Sequence, residues 1–439
     1  MNTLPEEIIL YILNYLENTV DVINFSLSNK FYNILINENK EIFNCITTIN
    51  NKYINVLDKL NIIGKLKVNL IYNENIVDIS MLRNVSELNL SHCYNIKDVS
   101  MLGKVNKLNL SYCYGITDVS NLGNVSEINL SYCKNVKDFS MLGKVEYLNL
   151  SHVYGITDVS MLGNVKILDL KNNFKITDVS MLRNVKKLNL SQCINITDVS
   201  NLGNCEELDL TDCKISDVSM LGKVKKLNLS NCYSITDVSM LGNVKNLKLS
   251  YCKNISNVSS LINVDILNLS YCINITDVSN LGNCIELKLT NCHNIKDVSM
   301  LGKVKKLNLS GCRSITDVSM LGNCEELDLS HCGEIKDVSM LGKVKKLNLS
   351  GCRSITDVSN LGNCEELKLS HCYNITDVSM LRNVKKLNLS HCYNITDVSN
   401  LGNCVELDLT DCINIKDISM LGKVKKLIKI WYEKWIRFI

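Results

Sequence analysis

The 439-residue sequence lacks an excess of charge of either sign and lacks long apolar runs. The formal net charge is +3 and charged residues make up 21%, so no strong field would attract nucleic acid or an anionic membrane. No apolar stretch approaches the roughly 20 residues that span a bilayer. The N-terminus has no basic segment, and Glu6 and Glu7 interrupt its first apolar run, which argues against a secretory signal. We therefore expect neither nucleic acid nor a membrane as partner.

The sequence also lacks the patterns that carry chemistry. It has no glycine-rich phosphate loop, and no Ser, His or Cys is set apart from the others as a nucleophile or a base. No C-x-x-C pair occurs, which argues against a zinc site. We therefore expect a protein without enzymatic activity, without a cofactor and without a metal.

Proline is almost absent, with a single residue at Pro5, whereas Asn, Ile and Lys are abundant. This skew is typical of an AT-rich genome, and a large DNA virus or a protist would both fit it. The composition therefore carries information about the source of the chain and none about its mechanism.

One short unit organises most of the chain, and residues 110–130 show it clearly. Its spacing is three residues at every apolar step except the last, which is two. A step of two is the period of a β-strand, whereas steps of three suit 3₁₀ turns, in which residues i and i+3 eclipse. The unit therefore predicts a very short strand and a winding return path around one interior. The predicted interior residues are Leu110, Cys113, Ile116, Val119, Leu122, Val125, Ile128 and Leu130.

The unit recurs about every 20 residues. Its Asp-Val-Ser marker steps by twenty from Asp98 to Asp198, once by nineteen to Asp217, and then resumes as far as Asp417. We count roughly eighteen units. One such unit cannot close a core, but stacked units can, which is the sequence signature of a solenoid.

The segment from Val105 to Ile116 fits the pattern L-x-x-L-x-L-x-x-(N/C)-x-x-(I/L), so residues 66–427 resemble the leucine-rich-repeat family. The Cys form resembles repeats that are often attached to F-boxes, and the short Asp-Val-Ser-x-Leu return resembles the internalin type. The resemblance implies an α/β repeat protein. It would be a leucine-rich-repeat solenoid with parallel β-strands on the concave face and 3₁₀ turns or loops on the convex face.

A glycine precedes the strand in most repeats, as at Gly103. Arg83, Arg183, Ile262 and Arg382 take its place in four repeats. The position is therefore not expected to need a backbone conformation that only glycine adopts.

The twenty-one cysteines fall into classes that the repeat defines. Fifteen hold one repeat position, from Cys93 to Cys412, and we name them the cysteine ladder; five replace a Val in an L-G-N-C form, and Cys45 stands alone. Side chains on stacked parallel strands run side by side, so we predict buried, reduced thiols that pack as small hydrophobic groups. Reduced thiols and the missing signal indicate the cytoplasm, with the nucleus as an alternative, or a host cell if the source is viral.

Residues 1–40 do not carry the repeat and predict a small α-helical domain. Pro5 falls in the first turn of a predicted helix, where its missing N–H costs nothing. The segment resembles an F-box, which begins L-P-x-E-(I/L), continues with an apolar helix and later carries L-S-x-x-(C/N)-K-x-(W/F/Y). The matching residues are Leu4, Pro5, Glu7, Ile8, Ile12, Tyr15, Leu16, Ser26, Asn29, Lys30 and Tyr32.

F-box proteins bind the Skp adaptor and present a substrate to a cullin–RING ubiquitin ligase. The resemblance implies a substrate-recognition subunit of a Skp–cullin–F-box ligase, monomeric outside the complex, whose solenoid binds a protein substrate. By the same resemblance the adaptor contacts are Leu4, Pro5, Ile8, Ile12 and Leu16. One alternative is a protein-binding scaffold in which the N-terminal helices only cap the solenoid. A third class is a regulator that binds an enzyme with its concave face.

Two further segments flank the repeats. Residues 41–65 form a junction that is predicted to hold a helix and a degenerate repeat. Residues 428–439 contain both tryptophans, Trp431 and Trp435, on one face of a predicted helix. We predict a terminal cap that closes the open core, and a helix for a membrane surface or a partner is the alternative.

The exposed position before the first leucine of each strand alternates between Glu and Lys from Glu286 to Lys426. This pattern predicts a self-neutralising charge ladder on the concave face. It is broken at Tyr147, Ile167, Asn246 and Ile266, and a row of Tyr and His lies beside it. Aromatic residues there are candidate anchors for a protein substrate. The candidate binding residues are Tyr112, Tyr132, Tyr147, Tyr251, Ile266, Tyr271, His371 and His391.

Overall fold

The computed structural model describes residues 46–47, 67–83 and 85–429. The chain divides into two compact units, Met1–Cys213 and Lys214–Ile439, which we term the N-terminal and C-terminal units. Their boundary in the sequence falls in the single 19-residue repeat. The predicted F-box helices, most of the junction and residues 430–439 of the predicted cap lie outside the described residues.

Each described repeat contributes one short strand, and each strand pairs in parallel with the strand of the next repeat in its unit. Equivalent residues lie opposite each other, as Leu108 and Ile128 do in one unit and Leu307 and Leu327 in the other. The sheets and the repeat together confirm the predicted leucine-rich-repeat solenoid. The strands of the N-terminal unit are β1 Ile46–Thr47, β2 Lys67–Asn69, β3 Glu87–Asn89, β4 Lys107–Asn109, β5 Glu127–Asn129, β6 Tyr147–Asn149, β7 Ile167–Asp169, β8 Lys187–Asn189 and β9 Glu207–Asp209. Those of the C-terminal unit are β10 Lys226–Asn228, β11 Asn246–Lys248, β12 Ile266–Asn268, β13 Glu286–Lys288, β14 Lys306–Asn308, β15 Glu326–Asp328, β16 Lys346–Asn348, β17 Glu366–Lys368, β18 Lys386–Asn388, β19 Glu406–Asp408 and β20 Lys426–Ile428.

The return path of most repeats contains a 3₁₀ turn, and the described residues contain no α-helix. Consequently, no helix in this part of the chain has the length and apolarity needed to cross a bilayer. In the N-terminal unit the turns span Ser80–Leu82, Ser100–Leu102, Ser120–Leu122, Ser140–Lys144, Ser160–Leu162, Ser180–Leu182 and Ser200–Leu202. In the C-terminal unit they span Ser219–Leu221, Ser239–Leu241, Ser279–Leu281, Ser299–Lys303, Ser319–Asn323, Ser339–Leu341, Ser359–Leu361, Ser379–Leu381, Ser399–Leu401 and Ser419–Leu421.

The Asp-Val-Ser marker directs the chain into these turns. The backbone N–H of Ser120 donates a hydrogen bond to Oδ1 of Asp118 over 2.8 Å, and the same bond recurs in neighbouring repeats. It closes an Asx turn, a local alternative to a backbone turn. The bond also lowers the pKa of the Asp118 carboxyl, because it stabilises the charged form. The marker is therefore a structural signal.

The core of each unit is built from the predicted apolar positions. All eight residues predicted between Leu110 and Leu130 are buried, with at most 2% of any of them exposed. In the strands from β2 to β19 the middle residue points inward, and the leucine that follows the strand joins it in the core. A spacing of two followed by spacings of three therefore places one side of the whole repeat in a single interior.

The cysteine ladder does more than pack. The Sγ of Cys113 donates a hydrogen bond to the carbonyl oxygen of Leu90 in the preceding repeat over 3.1 Å, and other ladder thiols make the same bond at 3.0–3.3 Å. Asn173 occupies the same position and donates from Nδ2 to the carbonyl oxygen of Leu150 over 2.8 Å. The expectation that the ladder contributes mainly packing is therefore incomplete, because it also satisfies backbone acceptors between repeats.

Glycine at the end of the 3₁₀ turn permits close approach between repeats. Gly342 has an ordinary φ of −62°, in agreement with the expectation that the position needs no left-handed backbone. However, a Cβ added there would lie 2.4 Å from the carbonyl oxygen of Asn360 in the next repeat. The conflict is with backbone, which cannot rotate away as a side chain can. The glycine therefore avoids a close contact with the following repeat. Arg183 and Arg382 occupy the equivalent position with φ of −56° and −55°, so a Cβ there is accommodated by a shift of the backbone.

The variant Gly342→Ala is expected to destabilise the C-terminal unit by about 1–3 kcal/mol, because the neighbouring backbone must shift to accept the methyl group. Gly422 supplies a matched control, since its φ is −60° and no atom of the described residues lies within 4 Å of an added Cβ. Urea denaturation of both variants measures the difference. Equal losses for Gly342→Ala and Gly422→Ala would contradict the steric explanation.

Candidate functional site

The residue before each position of the cysteine ladder has a left-handed backbone, and we term this set of residues the turn column. Its φ values lie between 54° and 75°. The backbone N–H of Tyr112 donates to the carbonyl oxygen of Ser131 in the next repeat over 2.9 Å, and other members of the column make the equivalent bond. This contact between repeats offsets the cost of a conformation that tyrosine rarely adopts, roughly 1–2 kcal/mol. The members are Tyr72, His92, Tyr112, Tyr132, His152, Asn172, Gln192 and Asp212 in the N-terminal unit, and Asn231, Tyr251, Tyr271, Asn291, Gly311, His331, Gly351, His371, His391 and Asp411 in the C-terminal unit.

Consecutive aromatic members of the turn column stack face to face. In the N-terminal unit five rings form one stack with centroids 4.2–4.3 Å apart. Asn172 ends the stack, and its Nδ2 lies 2.9 Å from Nδ1 of His152. The stacked residues are Tyr72, His92, Tyr112, Tyr132 and His152.

A second aromatic set, the flank column, follows the ladder position directly. In the N-terminal unit it contains Tyr94, Tyr114, Tyr154 and Phe174. The rings of Tyr94 and Tyr114 are parallel but displaced, with centroids 5.5 Å apart, and Nζ of Lys134 lies 4.7 Å from the Tyr114 centroid. The flank column was not predicted from the sequence, although the recurrence of Tyr directly after the ladder cysteine was a usable signal.

The two columns contact each other edge-on and form one surface, which we term the aromatic flank. Tyr94 stands at 86° to the ring of His92, and its hydroxyl lies 3.1 Å from Nδ1 of that histidine. Exposure reaches 65% for Tyr72 and 38% for Tyr154. The flank comprises Tyr72, His92, Tyr94, Tyr112, Tyr114, Tyr132, His152, Tyr154 and Phe174.

The exposed sheet face of the same repeats forms a shallow groove of 340 Å³ that runs along β2–β6. Its charges pair across strands, with Lys67 Nζ 3.0 Å from Glu87 Oε1 and Lys107 Nζ 2.8 Å from Glu127 Oε1. Tyr147 lines one end of the groove, and burial raises the pKa of its hydroxyl. The predicted candidate Tyr147 therefore lies on the sheet face, whereas Tyr112 and Tyr132 lie on the aromatic flank.

The C-terminal unit has a comparable groove of 370 Å³ along β13–β17, lined mainly by charged and amide side chains. Glu326 pairs with both neighbours, Lys306 at 3.3 Å and Lys346 at 3.0 Å, as the alternation predicts. The hydrogen bond from Lys346 is the main cause that lowers the pKa of Glu326.

The charge ladder, in which Glu and Lys of neighbouring strands pair, has exceptions within the C-terminal unit. Glu286 contacts Lys288 of its own strand at 2.9 Å, and Glu366 contacts Lys368 at 3.3 Å. The last residue of both strands is Lys, whereas the last residue of most other strands is Asn or Asp. Residues i and i+2 of a strand share one face, so that Lys reaches the glutamate from within its own strand. The pairing is therefore set by two neighbouring rows of residues.

The other candidates in the C-terminal unit form pairs. Tyr251 stacks on Tyr271 with centroids 4.2 Å apart, and His371 stacks on His391 at 4.3 Å. Burial is the main cause that lowers the pKa of His371, and repulsion by His391 adds to it. Ile266 lies apart from them on β12, 37% exposed. Within the described ranges, no three His, Cys, Asp or Glu side chains are grouped so that they could hold a metal ion.

No protein-family model matches the sequence, and no curated protein matches it. Among solved structures the chain is similar to an internalin, InlF, of Listeria monocytogenes, with 21% identity, coverage of 85% of this chain and 88% of that one, and a TM-score of 0.37. It is similar to the functional domain of InlJ from Listeria monocytogenes, described as including a cysteine ladder, with 20% identity, coverage of 81% and 75%, and a TM-score of 0.43. It is also similar to a leucine-rich-repeat protein of Leptospira interrogans, with 18% identity, coverage of 76% and 93%, and a TM-score of 0.45.

Proposed function

We propose that the chain is a non-enzymatic leucine-rich-repeat scaffold that binds a protein partner through the aromatic flank of its N-terminal unit. The observation that carries the proposal is the gathering of nine rings on one partly exposed surface between residues 72 and 174. Tyrosine is enriched among the residues that dominate the energy of protein interfaces. The groove with Tyr147 lies on strands of the same repeats and extends the surface available to a partner.

The arrangement of the rings favours a protein over a nucleic acid or a sugar. Within the turn column the faces of consecutive rings cover each other, so a base or a sugar has no free face to stack on in the interior of the stack. What the flank presents is ring edges, hydroxyl groups and imidazole nitrogens. The sheet face carries paired charges of both signs, which gives no attraction for a polyanion. A protein surface of mixed polarity can match this pattern.

Site-specific photo-crosslinking tests the proposal. A benzoylphenylalanine placed at position 114, on the aromatic flank, is expected to form a discrete adduct with one protein partner. The same group at position 161 is the control, because Met161 belongs to the same unit, is 61% exposed and lies on the 3₁₀ turns. Equal labelling of the same protein from both positions would overturn the proposal.

Once a partner is identified, the variants Tyr114→Ala and Tyr154→Ala are each expected to weaken its binding by about 10-fold or more, because each removes an aromatic anchor. Met161→Ala should leave the dissociation constant within about twofold. Calorimetric titration of the folded variants measures all three. A loss of affinity for Met161→Ala as large as that for Tyr114→Ala would place the interface elsewhere.

We further propose that this scaffold serves as the substrate receptor of a Skp–cullin ubiquitin ligase. The support is the F-box-like pattern of residues 1–40, in which the only proline of the chain occupies the family's proline position. The intact protein is expected to capture the Skp adaptor and a cullin from eukaryotic lysate, and the double variant Leu4→Ala, Pro5→Ala should lose both. Failure of the intact, folded protein to capture them would leave the scaffold without a ligase role.

A further inference from the structure

Two pairs of tyrosines stack face to face across the boundary between consecutive repeats. Tyr112 and Tyr132 in the N-terminal unit stack with centroids 4.2 Å apart and planes within 12°. Tyr251 and Tyr271 in the C-terminal unit stack at 4.2 Å and within 7°. All four residues have left-handed backbones, with φ of 62–64°, so the same turn geometry aligns both pairs. Each pair joins equivalent positions of two consecutive repeats.

We propose that these two pairs are modification sites, at which one-electron oxidation by a haem peroxidase and hydrogen peroxide joins adjacent repeats through a dityrosine bond. The proposal goes beyond partner binding and does not depend on it. Hydrogen peroxide and the peroxidase are the co-reactants, supplied from outside the chain.

The geometry suits the reaction. A tyrosyl radical carries unpaired electron density on its ortho carbons, in orbitals perpendicular to the ring. Rings that stack face to face point these orbitals at each other, and centroids 4.2 Å apart keep the two rings in van der Waals contact. Bond formation then requires the rings to tilt so that two ortho carbons approach each other. A displaced or perpendicular pair directs much less of this density at its neighbour.

The reaction balances as follows in atoms and electrons. Each of two tyrosines loses one electron and its phenolic proton to give two radicals. The radicals form one carbon–carbon bond between ortho carbons, and the two ortho hydrogens move to the oxygens to restore both phenols. Hydrogen peroxide accepts the two electrons and two protons and becomes two waters. The net change is two tyrosines and one peroxide converted to one dityrosine and two waters.

Competing oxidation of thiols is suppressed in the described repeats. Their twenty cysteines are all buried, and burial raises the pKa of thiols such as Cys252, to about 12, so little thiolate is present. The tyrosines keep contact with solvent, and Tyr251 is 37% exposed. The neighbouring hydroxyl of Tyr112 raises the pKa of Tyr132, and that of Tyr271 raises the pKa of Tyr251.

A bond between residues twenty positions apart would act as a staple across one repeat boundary. It restricts the unfolded chain by closing a loop, in the way that a disulfide does. The linked protein is therefore expected to unfold at a higher urea concentration than the unlinked protein. Such a staple is available to a chain whose cysteines are committed to the core.

The test uses the full-length protein, a haem peroxidase and limiting hydrogen peroxide, followed by peptide mapping. We expect cross-linked peptides that join position 112 to 132 and position 251 to 271, each lighter by two hydrogens than the sum of its parts. The displaced pair Tyr373–Tyr393, with centroids 5.4 Å apart, is a graded comparison and should link in lower yield. Tyr233 is 52% exposed and stacks on no ring of the described residues, so it should form no internal link.

The variant Tyr251→Phe keeps a ring in place but removes one phenol. It should abolish the link to position 271 and leave the link between positions 112 and 132 at its original yield. An unchanged yield for the pair Tyr373–Tyr393, which belongs to the same unit as Tyr251, shows that this unit is folded in the variant. Yields that do not change on dilution mark the links as internal. The proposal is overturned if linking follows exposure, so that Tyr233 reacts most, if yields fall on dilution, or if neither pair links while added free tyrosine does.

Discussion

Raising the pH above about 9 is expected to unfold the repeats cooperatively, because the fold holds its thiols in the protonated form. Twenty cysteines are buried in the described part of the chain. Burial raises the pKa of Cys205 from its ordinary value of 9.0 to about 11 and that of Cys133 to about 12. An unfolded chain exposes the same thiols to water and restores their ordinary pKa.

The direction of the effect follows from proton binding. Above the unfolded pKa of 9.0 the unfolded chain has released its thiol protons while the folded chain retains them, so the folded state loses stability as the pH rises. The stabilisation that the buried protonated thiols give the folded state is fully present below pH 9. It declines as the pH rises, until the pKa values of the thiols in the folded state are reached. Each thiol contributes about 1.4 kcal/mol per pH unit in this window. A few thiols therefore suffice to offset a typical total stability of about 5–15 kcal/mol.

Circular dichroism between about pH 7 and pH 11 measures this transition. Val153 is a natural precedent for a ladder position without a thiol, since it is fully buried there. The double variant Cys113→Val, Cys133→Val should therefore fold, although it loses two thiol hydrogen bonds. Its free energy of unfolding, measured with urea at each pH, should fall less steeply above about pH 9 than that of the parent protein. An unchanged slope would assign the transition to other groups, such as the tyrosine hydroxyls.

The variant Asn173→Asp is expected to destabilise the N-terminal unit by about 3–5 kcal/mol, the cost of an unpaired buried charge. Asn173 is fully buried, and its Nδ2 donates to the carbonyl oxygens of Leu150 and Leu170 at 2.8 and 2.9 Å. An aspartate would direct an oxygen at these acceptors. Even when protonated it could donate only one of the two bonds. Urea denaturation monitored by circular dichroism measures the loss.

The matched control is Asn173→Cys, which restores the residue found at this position in most repeats. We expect it to stabilise the unit by about 1–2 kcal/mol, because Oδ1 of Asn173 is buried without a hydrogen-bond partner in the described residues and a thiol has no such acceptor to leave unsatisfied. The thiol can still donate to Leu150, as other ladder thiols do in their repeats. If Asn173→Asp and Asn173→Cys both lower the free energy of unfolding, the asparagine side chain stabilises the unit through its packing, and the unsatisfied Oδ1 does not limit stability.

The charge ladder shows how far residue pattern alone reaches. Alternating Glu and Lys on neighbouring strands predicted the contacts of Glu326 with Lys306 and Lys346. It did not predict that Glu286 contacts Lys288, because that pair depends on a second row of residues and on which lysine lies nearer. The F-box-like segment illustrates another boundary, since its adaptor contacts stay predictions from the motif of residues 1–40.

The sequence by itself determined the repeat, the short parallel strands, the 3₁₀ return and the buried positions. These features follow from local spacing: a step of two places Ile128 and Leu130 on the inner face of a strand, and steps of three carry Cys113 and Ile116 around tight turns into the same core. Any repeat with this spacing has one apolar side, and stacking is the way to bury it.

Only the tertiary structure decided the left-handed turn column, the stacking of Tyr112 on Tyr132, the flank column beside them and the reason for glycine at position 342. Each of these features depends on residues about twenty positions apart that meet across a repeat boundary. Their contacts are fixed by the translation from one repeat to the next and by the angle at which the chain leaves each strand. Local periodicity carries neither quantity, because it describes a single repeat and not the step between two.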